Sequence, residues 1–416
     1  DFVARIGRRV WRDHVRFFSF LLVGFMAVGC NVIEETTIVH AAGSSLPTTA
    51  ASSLSSQSSM NSITSLSSSP SSSAGSAVPL AWVTVSNGSS AAVTAPNAKY
   101  VCVLPRMDGS IWLACRESLS RVVLMKYDGN LWEKIWDGPD GLYTDLAATA
   151  DGKIWLAFRD ISTPGQGRLT LACYAEGNVS VEDGLSPGPV SLVKISAAGN
   201  DLFVVCKDEF NGSNRAIVKR RGADGTWYDL GQPLPGIEPY YLSLASDATT
   251  PWVALASEFS SRGYLCTYSG SGWQTYASDF ATTGVDSSLR LRVHYGEPSV
   301  GFIDTSDNAG YVKAWRGSAW VTIGGGSATG GVRQMDYALD PSGRPWLVCK
   351  GPLSNGEYPL FVRTLNAGAA WGSYGADPIL PVTANYPSIA MDSRGLPCIA
   401  FADYSLGEAV RVMQLR

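Results

Sequence analysis

Histidine is nearly absent: the 416 residues hold three, and His14 and His40 both precede the repeating part of the chain. A Ser-His-Asp or Cys-His mechanism would have only His294 to use. That residue stands in VHYGEP (293–298), where a role in a turn is expected. No CxxC pair and no Cys/His cluster occurs, so neither a metal nor a cofactor is expected. Helical periodicity is missing beyond the first thirty residues. Excess positive charge is missing too. The formal net charge is −4, and five Arg against Asp1 and Asp13 give residues 1–29 a charge of +3, leaving the remainder at −7. An acidic head without a basic face excludes the usual nucleic-acid binders. The longest apolar run, 17–29, is interrupted only by Ser19 and is shorter than the about 20 residues a membrane span needs.

Tryptophan is abundant and regularly spaced. One series runs Trp132, Trp227, Trp273, Trp320, Trp371, with Val179 in one place, in steps of 47, 48, 46, 47 and 51 residues. A second, one strand earlier, runs Trp112, Trp155, Phe203, Trp252, Ser299, Trp346, Cys398. Periods of about 40–50 residues with aromatic and Gly markers point to a β-propeller, in which each blade packs on the next. Around each marker lie four apolar runs separated by short turns. DGSIWLAC (108–115), DGKIWLAF (151–158) and SGRPWLVC (342–349) each place a Gly turn before a strand. The last repeat reaches Arg416 with three strands. Its fourth is supplied by LAWVTVSNGSS (80–90), which matches SAWVTIGGGS (318–327). The fold class is therefore all-β: a seven-bladed propeller of four-stranded antiparallel blades closed by an N-terminal outer strand, which pairs the two edges otherwise left free at the ends of the repeat array. Dropping the weak repeat at Ser299 would leave six blades. DGKIWLAF resembles the strand-turn signature of bacterial regulatory propellers, and the general pattern is similar to kelch-like and sialidase-like propellers.

The segment before the repeats has a different character. Residues 1–29 combine a basic leader, a short apolar core and small residues, as a secretory signal does. Ala27-Val28-Gly29-Cys30 resembles the lipobox of bacterial lipoproteins, which implies acylation of Cys30; an uncleaved signal anchor is the alternative. Residues 30–43 would be the mature N-terminus. Residues 44–77, dominated by Ser, have too little apolar surface to fold and read as a tether. The propeller occupies 78–416. Asn31, where sorting signals place Asp, implies an outer-membrane or surface location in the bacterial envelope rather than the inner membrane.

Seven cysteines remain after Cys30. Cys115, Cys206 and Cys349 occupy positions where sister blades carry Phe or Leu, so they read as buried apolar residues. One constellation recurs just past the second strand of each blade: Glu117, Asp160, Asp208, Glu258, Asp304 and Asp403, with Gly351 the exception. These acids would ring one mouth of the channel, as a ligand site or as turn-capping architecture. Symmetry breaks add Arg290 and Arg292, aligned with Ser243 and Ala245 or Ile389 and Met391 and expected to pair with Asp304 and neighbouring acids. Trp136, beside Asp137 and Asp140, is expected in an inter-blade loop, where Tyr240, Tyr241 and Tyr404 join that surface. Carboxylates, Arg and exposed aromatics suit sugars or peptides. The reading is a monomeric, lipid-anchored, non-enzymatic binding module for a glycan or protein ligand. A glycan-active hydrolase or lyase and a structural scaffold lipoprotein are the alternatives. Two carboxylates suffice for glycoside hydrolysis, but no sialidase Asp-box spacing is present.

Overall fold

The computed structural model describes residues 80–416 apart from 89, 163–165, 258–261 and 282; the leader, Cys30 and the Ser-rich segment lie outside the described residues. Five four-stranded antiparallel sheets and one seven-stranded sheet make up the fold. The seven-stranded sheet is two blades that share one long strand, Trp132–Ala148, so the ring has seven blades. The seven innermost strands contact one another in cyclic order, Lys99–Pro105 meeting both the next blade's inner strand and Ala384–Met391 of the last blade. Blades are numbered 1 to 7 from Lys99–Pro105, and strands A to D run from the channel outward.

The ring closes as the repeat pattern demands. Trp82–Thr84 pairs antiparallel with Ala409–Leu415, with Trp82 opposite Leu415 and Thr84 opposite Met413. The weak repeat at Ser299 is a complete blade of four strands. Strand composition follows position. B strands such as Ile111–Arg116 are buried at every residue but the last, because neighbouring blades cover both faces. D strands such as Asn178–Glu182 are partly exposed along their whole length. The A–B hairpins turn on Asp and Gly. Asp108 accepts the Ser110 N–H at 2.9 Å while Gly109 takes a φ of +82°, which only glycine adopts freely.

The core is divided into wedges. Seven apolar clusters among the described residues lie one at each seam between blades. The outer tryptophans latch six of these seams. The indole N–H of Trp132 donates to the Val85 carbonyl at 3.0 Å, Trp273 to Leu230 at 2.8 Å, Trp320 to Ser278 at 2.7 Å and Trp371 to Ile323 at 3.0 Å. Trp82 donates to Tyr374 at 3.1 Å, and Trp227 to the Glu182 carboxylate at 2.6 Å. Each such bond contributes about 1 kcal/mol beyond the buried area. Where the inner marker is Ser299, Tyr337 of the next blade fills the gap. It is fully buried, its hydroxyl donates to the Ser299 carbonyl at 2.6 Å, and its ring lies 2.5 Å from where a Cβ on Gly301 would be. The seven described cysteines are all free and, apart from half-buried Cys102, buried.

Trp136 differs from expectation. It lies within the continuous strand Trp132–Ala148 rather than in a loop. It is half-buried in the cluster between blades 1 and 2, 6.0 Å from the Phe158 ring, and packs over Gly138, where a Cβ would come within 2.3 Å of it.

Candidate functional site

The acid positions recur as the repeat suggests, at the ends of the B strands, and each described carboxylate is engaged by its own loop or a near neighbour. Asp160, Asp208, Asp304 and Asp403 accept the backbone N–H two residues on, from Ser162, Phe210, Ser306 and Ser405, at 2.8 to 3.1 Å. Such Asx turns shape the B–C loop. Asp208 also meets Arg215 at 3.4 Å and Asp403 meets Arg411 at 2.7 Å. Glu117 accepts the Ala95 N–H and the Lys134 ammonium, both at 2.9 Å. Glu117, Asp208 and Asp403 are buried. Asp304 is half-buried. Burial opposes its charge, but bonds from Ser306 and Thr283 outweigh this and hold its carboxyl below the usual range. Glu258 lies outside the described residues. Blade 6 has Gly351 there because the Phe361 ring sits 2.1 Å from where its Cβ would be.

The channel itself forms a cavity of ≈ 600 Å³, within the range of small-ligand sites. Its wall resolves into tiers once inner-strand residues are matched through their B-strand partners. The middle tier, one residue per blade, is Cys102, Asp145, Lys194, Ser243, Arg290, Asp336 and Ser388. They pair with Ala114, Ala157, Val205, Ala254, Gly301, Val348 and Ala400, each two residues past an inner marker. Four of these tie adjacent inner strands together through a neighbouring backbone N–H. Ser243 accepts from Leu291 at 2.8 Å, Asp336 from Ile389 at 3.1 Å, Ser388 from Val103 at 3.3 Å and Asp145 from Ile195 at 3.0 Å.

The charges of this tier are coupled. Arg290 Nε donates to Asp336 at 2.9 Å, and Arg292 Nη2 reaches the same carboxylate oxygen at 3.5 Å. Asp336, rather than the expected Asp304, is thus the partner of both arginines. Asp304 sits at the far end of its B strand, held by Thr283 and Ser306. Burial disfavours the charge of Arg290, but Asp336, and then Asp145, keep its pKa above the usual value. Across the channel Asp145 accepts from the Cys102 thiol at 3.4 Å and faces Lys194 at 3.7 Å. Burial, then Asp145, pushes the Cys102 thiol well up, so it remains protonated.

Toward the acid-bearing face, two residues earlier on each inner strand, the wall is Tyr100, Tyr143, Leu192, Tyr241, Ser288, Gln334 and Tyr386. Tyr100 is central, its ring 5.1 Å from Tyr143 and 5.5 Å from Tyr386. Tyr100, Tyr143, Leu192 and Tyr386 all have left-handed backbone, with φ of 54°, 59°, 55° and 53°. Each lies at or beside an irregularity in its A–B pairing. For bulky residues that conformation costs free energy and recurs where a side chain must be aimed. Gln334 Oε1 accepts the Tyr386 N–H at 2.7 Å, fixing one of these bends. Burial, then Tyr100, raises the Tyr143 and Tyr386 phenols, which stay neutral donors. Toward the opposite face the tier is Leu104, Ala147, Ser196, Ala245, Arg292, Ala338 and Ala390, in which Arg292 is the one charge.

The structure therefore brings Arg290 and Arg292 together with Asp336, Asp145 and Lys194, and leaves the acid positions in the loops around them. Sequence reading singled out Arg290 with its counterpart Ser243 in the middle tier and Tyr241 in the tyrosine tier; the remaining members of both tiers, Asp336 and Tyr100 above all, escaped it. A usable signal existed: counting two residues past each inner marker and crossing to its partner strand.

No family model matches the chain, and no curated protein matches it. Among solved structures, the BBS1N domain in complex with ARL6DN aligns with a TM-score of 0.50 at 14% identity, covering 81% of this chain and 97% of that one. YCF48 bound to D1 peptide aligns at 0.49 and 15% identity, over 82% and 96% of the two chains. The lectin SapL1 in complex with alpha methyl fucoside aligns at 0.47 and 16%, over 70% and 98%. At such identities the likeness is one of fold, and the chain is an all-β propeller.

Proposed function

We propose that this chain is a non-enzymatic, lipid-anchored binding module of the bacterial cell envelope. Its propeller head takes a glycan at the tyrosine-lined mouth of the channel. The observation that carries the reading is the Tyr100–Tyr143–Tyr386 cluster. Three aromatic side chains are turned to one channel mouth by left-handed backbone, beside a cavity the size of a small ligand. Tyrosine offers a flat apolar face for a sugar ring and a hydroxyl for its polar rim. Around them two B strands end on a cation, Arg116 and Lys350, and two carry one next to last, Arg159 and Lys207. Acylated Cys30 would hold the head to the outer membrane, with residues 44–77 as its leash; more than one acyl chain gives stable anchoring.

Glycan-array binding followed by calorimetric titration tests the ligand site. Tyr100→Ala should weaken every detected glycan at least about tenfold while the head stays folded, the loss of one aromatic stacking contact plus its polar bond. Unchanged affinity removes the channel mouth as the site. Cys30→Ala should release the protein from the membrane fraction, and retention there would reject the lipid anchor.

A further inference from the structure

The channel holds more positive than negative charge, in a chain that is acidic overall. Lys194, Arg290 and Arg292 line it against Asp145 and Asp336, three cations to two carboxylates. The imbalance is local to the arginines. Both guanidiniums share a single oxygen of Asp336, at 2.9 and 3.5 Å. The other oxygen of Asp336 is occupied by the Ile389 N–H, and the first also accepts the Tyr337 N–H. That carboxylate has little capacity left for a second cation. Arg292 is the less well paired of the two. Its side chain is 32% exposed, it stands over the Tyr337 ring at 5.5 Å, and its tier otherwise consists of small or apolar residues. A half-buried cation with an overcommitted partner is a receptor for an added anion. Guanidinium favours a planar one, a carboxylate above all, which it can hold through two parallel bonds.

Resting on the glycan reading above, we infer that the ligand carries a carboxylate: an acidic sugar, of the uronate class, whose ring lies against the tyrosines and whose acid reaches Arg292 and Arg290. The two recognition elements face each other across the channel, Tyr100, Tyr143 and Tyr386 on the inner strands of blades 1, 2 and 7 and the arginines on that of blade 5, with the tyrosines one tier before Arg290 and Arg292 one tier beyond it. A sugar that spans the channel thus contacts aromatic surface on one side and cation on the other. At the mouth charges of both signs act on the phenols, Arg159 and Glu209 on Tyr143 and Glu408 and Arg116 on Tyr386.

The test compares oligogalacturonate, alginate and hyaluronan oligosaccharides with their carboxyl-reduced counterparts by calorimetric titration, at low and at physiological salt. The acidic member of at least one pair should bind about tenfold or more tightly than its reduced form, the size of one charge-assisted bond. That preference should shrink as salt rises. Arg292→Gln should abolish it and Arg292→Lys, which keeps the charge but not the two parallel bonds, should keep only part of it, with thermal unfolding of each variant confirming the fold. Equal binding of acidic and reduced sugars overturns the inference, as does a preference that survives Arg292→Gln. Tyr100-dependent binding of neutral sugars with no acid preference rejects the carboxylate site alone. Binding of no sugar of either kind rejects the glycan reading with it.

Discussion

The seam between blades 1 and 2 is built differently from the other six. Elsewhere an indole from one outer strand bonds the outer strand before it. Here Val179 stands in the tryptophan's place and no indole bond is possible. Three substitutes act instead. Trp132–Ala148 runs unbroken from the outer edge of one blade to the inner edge of the next. Trp136, inside that strand, packs on Phe158. Gly138 leaves room for its ring. Covalent continuity with an aromatic wedge does what a latch does elsewhere. The seam between blades 5 and 6 offers a second variant, in which the aromatic comes from the following blade as Tyr337. Seam packing is the conserved requirement of the ring, and which strand supplies the bulk is free to change.

The comparison can be broken most severely at Tyr337. Tyr337→Ala should cost about 3–5 kcal/mol, as for other large-to-small core changes, measured by denaturant unfolding. A cost near that of an exposed tyrosine would mean Ser299 and Gly301 close up without it. Next come the latches. Trp227→Phe removes a bond to a carboxylate that Arg221 also holds at 3.0 Å and should cost about 1.5–3 kcal/mol, whereas Trp273→Phe, bonded to a carbonyl, should cost about 1 kcal/mol. Equal losses at the two seams would show that the charge of Glu182 adds nothing. Acid should have the smallest effect per group. Bonds from Ser110 depress the carboxyl of Asp108 against a smaller effect of burial, while at Asp304 burial is the largest single effect and the bonds from Ser306 and Thr283 together outweigh it. A folded pKa below the unfolded value adds stability above about pH 4 and loses it as pH falls further. Unfolding midpoints should therefore be flat from pH 7 to 5 and drop below 4. Asp108→Asn and Asp304→Asn together should shrink that drop.

The architecture was readable because seams dictate residue type. A position that must fill a wedge is Trp or Phe in most blades, and the period is visible without knowing the strands. Channel positions obey no such rule. Cys102, Asp145, Lys194, Ser243, Arg290, Asp336 and Ser388 are structurally equivalent but range over thiol, carboxylate, hydroxyl and cation, so no residue type repeats with the blade. Inner-strand irregularities hid them further. The pairing of Ala384–Met391 shifts between Asn385 and Ser388, so that Ser388, not Ile389, corresponds to Arg290. A one-residue slip moves a side chain to the other face, and with it went the tier. The acids show the converse. Asp160, Asp208, Asp304 and Asp403 repeat plainly, and they repeat because one turn geometry does.

Closing a circle with its own two ends imposes an order in time. Trp82 and Leu415 are 333 residues apart in the chain and adjacent in the sheet. At roughly 5–20 residues per second of synthesis, the opening segment spends on the order of twenty seconds to a minute as an orphan. Six blades can assemble in that interval while the last has only its outer strand. Whatever shields that first hydrophobic strand from strangers during the wait decides how much finished protein a cell obtains.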